Sequence, residues 1–305
     1  LITETQAVDS ARPAAAPTSV SSDARRFLHQ TRVLAGRNFR LMYADRGTLL
    51  LRLLGAPILA ITLLLSFDPD IFAIATHEGG NAVSASSLLH IASAVAIFLS
   101  ATGAATEITR ERSIYQRERL VNLSPYSYVT SKVIALVGLS VLQSLALVGI
   151  IALGISLTPP AGETFALLFA AMFMTSLAGM AMGLFISSIS SNPDQAITTA
   201  VILLIPQLIF AGAIVPLSEM QSVARVVADF MPSKWSLELL GTISDLEPRV
   251  IDQAKIITLT GLVEQDHPFR HAYGHPMVWR WLVLAGFSLT FIFATTVVQL
   301  RKGRS

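Results

Sequence analysis

Six stretches of this 305-residue chain are apolar over lengths that match the thickness of a lipid bilayer: 47–67, 85–106, 133–157, 164–188, 196–216 and 281–300. A membrane-spanning helix needs about 20 such residues, and inside the hydrocarbon every peptide group has to be satisfied by the chain itself. The expectation is an all-α polytopic membrane protein with six transmembrane helices. A composition of 52% hydrophobic against 14% charged residues agrees with this and leaves no room for an ordinary soluble domain. Only the first run contains a charge, Arg52. It lies close enough to the start of the run for its side chain to reach the headgroups, and is read as an anchor. Pro57 and Pro206 are expected to bend the first and fifth spans.

The segments between the runs set the orientation. Lys and Arg number six in 24–46, five in 107–132 and three in the tail RKGRS, against none in 68–84 and 158–163. By the positive-inside rule both termini are cytoplasmic. A chain of pI 9.1 can also signal nucleic acid, but bilayer topology already accounts for these basic residues, and no nucleic-acid partner is expected. The segment 217–276 is then the sizeable extracellular element. Its apolar pieces Val223–Met231 and Trp235–Ile243 are too short to span and suit re-entrant or interfacial helices. Without cysteine, this part must hold together by packing alone. Ahead of the first span, residues 1–22 read as an Ala/Pro/Ser linker, and the absence of an initial Met suggests a folded part upstream. Residues 23–45 read as a basic amphipathic helix, capped by Ser22 or Asp23. Phe27, Leu34, Leu41 and Leu28, Ala35, Met42 form its apolar stripe, with the arginines, Arg37 among them, on the other side.

Between the second and third runs lies EITRERSIYQRER, 107–119, with seven charges in thirteen residues. The positive-inside rule asks for Lys and Arg, yet three glutamates alternate here with four arginines. Glu107, Arg110, Glu111 and Ile114 fall on one helical face, where opposite charges three and four apart support a short helix. Mixed charge of this kind suits docking to a protein better than attraction to lipid. Ser124 and Pro125 provide a cap and a first-turn proline for the next span. Small residues recur on the second span (Ala92, Ala96, Ser100, Ala104) and as Gly179 and Gly183 on the fourth, and imply close helix packing or the wall of a cavity.

The stretch ERSIYQRERLVNLSPYSYVTSK resembles the signature of the ABCG-like, type-2 permeases of ABC exporters, in their bacterial branch. In that family a short charged helix after the second span is followed by a polar turn and a third span led by a lysine, with two glutamates seven residues apart, as Glu111 and Glu118 are. FAGAIVPL (Phe210–Leu217) is similar to the family's motif at the outer end of the fifth span, and PSKWSLELL (Pro232–Leu240) to its Pro, Trp and Glu pattern in the outer loop. The resemblance implies that 107–119 is a coupling helix, with Glu107, Arg110, Glu111, Arg112, Arg117, Glu118 and Arg119 meeting a nucleotide-binding domain. Residues 23–45 would be the connecting helix. It also implies a homodimer whose second and fifth spans enclose a central cavity, with Phe98, Ala104, Gln207, Phe210, Ala213 and Ile214 as its wall and gate. Ala213 and Ile214 stand where relatives carry a leucine plug, and Ala104 where some drug exporters carry an aromatic clamp. Those departures favour a wider apolar path, such as one for a lipid.

No GxxxxGK[ST] occurs, so ATP and Mg would be bound by the partner domain and no cofactor by this chain. GxSxG and HExxH are also absent, and no catalytic residue is expected. His267, His271 and His275 are interrupted by Pro268 and Gly274, which weakens them as a metal site. His90 and Gln143 are read as packed polar groups within spans. The expected function is the transmembrane part of an ATP-driven exporter in the bacterial inner membrane, moving a lipid, glycolipid or other hydrophobic substrate. The alternatives are a lipid-modifying membrane enzyme and a passive channel or scaffold.

Overall fold

The computed structural model describes residues 20–73, 81–120, 123–215, 217, 219–246 and 276–302, with side chains from residue 24 onwards. Residues 1–19 and the three histidines of 267–275 lie outside it. Among the described residues all regular structure is helical. Five helices among the described residues are long and apolar enough to cross a membrane, and the chain is a multi-pass membrane protein.

α1 (Val20–Ala44) and α2 (Arg46–Ser66) are separated by Asp45, whose carboxylate accepts the Thr48 backbone N–H and caps α2. That hydrogen bond holds the Asp45 carboxyl below the usual aspartate range. α1 starts ahead of Ser22 and Asp23, so these lie inside its first turn. α1 and α2 follow one another along the same side of α6 (Pro125–Gly154). At 30 residues α6 is about 45 Å long, well beyond the hydrocarbon thickness of about 30 Å, and its first turns give α1 a surface to pack on. Phe39 of α1 sits over Gly138 of α6, Asn38 donates to the Ser131 hydroxyl at 3.3 Å, and the Ser124 N–H donates to the Gln30 side chain at 3.3 Å. Ser124 precedes α6 as expected, but its hydroxyl makes no cap bond.

The buried face of α1 is Thr31, Leu34, Ala35 and Asn38. Leu28 and Leu41, expected on the inner stripe, are exposed, and Arg37, expected outside, turns inward. The stripe is rotated because α6 offers polar partners and carboxylates await Arg37.

α3 (Ala82–Ala105) is the centre of the bundle and packs most extensively on α7 (Ala161–Ile189). A Cβ on Gly179 would lie 2.9 Å from the Ile97 Cα, and one on Gly183 would collide with the Ala101 carbonyl. The small residues of both helices are thus an intramolecular close contact. α4 (Glu107–Arg110) and α5 (Arg112–Leu120) link α3 to α6, so the expected continuous helix is broken at Glu111. Three residues separate α7 from α8 (Pro193–Ile209). It stops short of the expected 216, because Gly212 adopts a left-handed φ of 98° that ends the helical path. α9 (Ser222–Asp229) and α10 (Pro232–Ile243) follow, and α11 (Met277–Arg301) closes the bundle. α10 is buried over almost its whole length among α3, α7 and α11.

Candidate functional site

Six charged side chains, five from five helices and Glu111 from the break between α4 and α5, meet at one end of the bundle. Lys132, 2% exposed near the start of α6, donates to Glu111 at 2.8 Å and to Glu107 at 3.2 Å. Arg52 of α2 holds the other oxygen of Glu107 at 2.8 Å. Arg37 of α1 pairs with Glu118 of α5 and lies 3.8 Å from Glu111. Three cations thus face three carboxylates, which is how charges this poorly solvated persist. A cleft of about 150 Å³ opens beside them, lined by Asp45, Arg52, Glu107 and Arg110. Arg52 is therefore an ion-pair partner rather than a free anchor, and its backbone carbonyl accepts a 2.9 Å bond from Gln143.

Two further contacts fix this unit to the bundle. The Ser187 hydroxyl near the end of α7 accepts the backbone N–H groups of Ile108 at 3.0 Å and Thr109 at 3.2 Å, donors that the first turn of α4 leaves free. Arg119 reaches the end of α11, donating to the carbonyls of Gln299 at 2.5 Å and Leu300 at 3.3 Å, which have no partner within that helix. Tyr115 packs on Tyr128, ring centroids 4.3 Å apart. Burial raises the Tyr115 hydroxyl above the usual tyrosine range, though Arg119 beside it works the other way.

The sequence singled out Glu107, Glu111 and Glu118 as a docking face. The structure turns all three towards cations of their own chain. It leaves Arg110, Arg112 and Arg117 outside, with Ile114 and Leu120 between them. Arg37, Lys132 and Ser187 were not among the site residues expected from sequence. Lys132 carried the one available signal, a lysine at the head of a span.

The positions expected to line a cavity are divided. Phe98 and Ile214 are exposed, and Phe210 and Ala213 half-buried. Ala104 is buried beside Tyr128, Met180 and Leu184. Gln207 is buried too: its side-chain oxygen accepts the Ser233 N–H at 3.1 Å, and its backbone carbonyl accepts the Ser233 hydroxyl at 2.6 Å, which joins α8 to the start of α10. Beyond that joint, Glu238 accepts from Arg280 at 3.3 Å and lies 3.7 Å from Lys234, which also pairs with Asp229. The buried Glu238–Arg280 pair seats α10 against α11 at the end opposite the first cluster. No group of three or more metal-ligating side chains occurs among the described residues.

A bundle of long apolar helices with a charged, jointed loop at one end describes the membrane domain of a multi-pass protein. The family model of the ABC-2 type transporter matches residues 29–243, and the chain belongs to that family. It is therefore a transmembrane component of an ABC transporter. The chain is similar to the ABC transporter ATP-binding/permease protein Rv1747 of Mycobacterium tuberculosis (strain ATCC 25618 / H37Rv), 26% identical over 230 residues. The match covers 71% of this chain but 25% of the relative, so the chain spans about a quarter of that protein's length.

Proposed function

We propose that this chain is the membrane-spanning half of an ATP-driven exporter, and that α4 and α5 are where it receives work from a nucleotide-binding domain. The name of the mycobacterial relative pairs an ATP-binding part with a permease, which supports such a partner, fused or separate. ATP and Mg then belong to the partner, and this chain catalyses nothing. It works as a homodimer in a bacterial plasma membrane, with α1 and the end of α11 on the cytoplasmic side. It crosses the membrane six times, with α8 as the fifth crossing.

The observation that carries this reading is the six-charge cluster. A partner pressing on the outer face of α5, Arg117 and Ile114, cannot displace that helix alone. Glu118 pulls on α1, Glu111 on α6 and Glu107 on α2. The cluster is a rigid joint that converts a local push into movement of whole helices, which is how ATP, by binding one state better than another, would alternate access to a path. The path itself would be apolar: no charged residue occurs in α3 or in α8 after Asp194. That lining suits a lipid, a glycolipid or another hydrophobic substrate.

The test is reconstitution of the full-length protein with its ATPase, comparing substrate-stimulated ATP hydrolysis and transport for Glu111→Gln, Glu118→Gln and the exchange Arg37→Glu/Glu118→Arg. The single variants should retain basal hydrolysis and lose most of the stimulation, and the exchange should restore part of it. Stimulation and transport unaffected by both single variants would refute the joint.

A further inference from the structure

On the far side of α5 from the carboxylates lies a pocket of about 350 Å³, walled by α4, α5 and the ends of α7 and α11. Its volume falls in the range of small-ligand sites. Arg112, Arg119 and Lys302 line it together with the polar side chains of Thr109, Gln116 and Ser190, and no carboxylate does so among the described residues. Lys302 donates to the Ser188 carbonyl at 2.7 Å, and Arg119 is held by the α11 carbonyls, so two of the three cations are fixed in place before any ligand arrives. Burial, and the like charge of Arg112 nearby, hold the Lys302 ammonium below the usual lysine range, a repulsion that a bound anion would relieve.

We infer that this pocket binds the phosphate of an anionic phospholipid headgroup. The inference rests on the proposed membrane orientation only for the leaflet, which is then the inner one. A lipid is favoured over a soluble phosphate because the pocket is walled by the ends of two apolar spans, at the depth where headgroups lie. Ile189 at the end of α7 is exposed beside it, and α11 exposes Leu289 and Phe293 to the surrounding lipid. Basic pockets between helix ends on the cytoplasmic side are suited to such headgroups, each nearby Lys or Arg adding about 1 kcal/mol, roughly fivefold in affinity. Since the pocket joins α5 to α7 and α11, an occupying lipid would brace the joint and make coupling depend on the charge of the bilayer.

The experiment uses the full-length protein in nanodiscs of phosphatidylcholine with a minority of phosphatidylglycerol, counting retained phosphatidylglycerol by native mass spectrometry. Wild type should retain it. Arg112→Gln/Lys302→Gln should weaken retention by about 25-fold, two cations at about fivefold each, while Lys302→Arg and the equal charge loss Arg40→Gln elsewhere on α1 leave it unchanged. Equal retention by wild type and the double variant would overturn the proposal, as would displacement of the lipid by millimolar glycerol phosphate, which would make the occupant a soluble phosphate compound. Retention in a nanodisc does not depend on which leaflet faces the cytoplasm, so the site and the orientation fail separately.

Discussion

Lys132 satisfies two carboxylates at once, Glu107 on α4 and Glu111 at the break between α4 and α5, from a position with almost no access to water. An ammonium there is tolerated because Glu107 and Glu111 replace its hydration, and the converse also holds: without it, those glutamates lose their shared counterion. Lys132→Met is expected to lower stability by about 3–5 kcal/mol, the range for breaking a buried ion pair from one side. Lys132→Met/Glu111→Gln should recover part of that loss, because the second change removes a carboxylate left with only Arg37 at 3.8 Å. Chemical denaturation in detergent, followed by tryptophan fluorescence, checks both, and a double variant no more stable than the single one contradicts the pairing. The seven-residue spacing of Glu111 and Glu118 was legible in the sequence, but their partners were not. Arg37 lies 81 positions from Glu118, and Arg52 lies 55 from Glu107. No local periodicity says which distant cation a carboxylate will meet, and so Arg52 read as an anchor and Arg37 as one of the arginines on the outer side of its helix.

Elements were more legible than partners, because a helix announces itself by length and hydropathy while its neighbours depend on the whole assembly. The long apolar runs appear as helices, and the small-residue patterns of the second and fourth spans meet each other as α3 and α7. What the sequence left open, close packing or a cavity wall, is decided by Gly183, where an added Cβ would strike the Ala101 backbone carbonyl and no side chain can move aside. Gly183→Val should therefore part the two helices and destabilise by about 1–3 kcal/mol or more. A methyl group added at Gly149 of α6 would meet nothing within 4 Å, and Gly149→Ala should be neutral or stabilise by up to about 1 kcal/mol. Thermal unfolding of the two variants in one detergent measures the contrast, and similar midpoints would remove the α3–α7 contact from the account. The break at Glu111 was hidden for a different reason. EITRERSIYQRER is helical in propensity throughout, and the bend is imposed by tertiary contacts, Ser187 holding α4 and Arg119 holding α5 to α11.

At the scale of the molecule, the number of crossings is a question of parity. α8 has 17 residues, about 26 Å, which falls short of the hydrocarbon thickness, and length alone would leave five crossings. The ion pairs give independent support for six. Arg37 ties α1 to α5, Arg119 ties α5 to the end of α11, and Ser187 ties the end of α7 to α4, so all of these lie at one end. α10 is bonded to the start of α11 through Glu238 and Arg280 at the other end, and to the end of α8 through Ser233 and Gln207. Leaving α7 at the charged end and entering α11 at the opposite one, the chain has α8 among the described residues to make the passage, which supports the proposed even count of crossings. With the basic segments on the cytoplasmic side, a cysteine at Val223, exposed on α9, should react with a membrane-impermeant maleimide in intact cells. Cysteines at Arg40 and Arg301, both exposed, should react only after permeabilisation. Since this chain has no cysteine of its own, each label reports a single place in it. Labelling of Arg40→Cys and Arg301→Cys from opposite sides would require an odd number of crossings and would be incompatible with the ties through Arg37 and Arg119, whereas labelling of both from outside would keep the bundle and invert it.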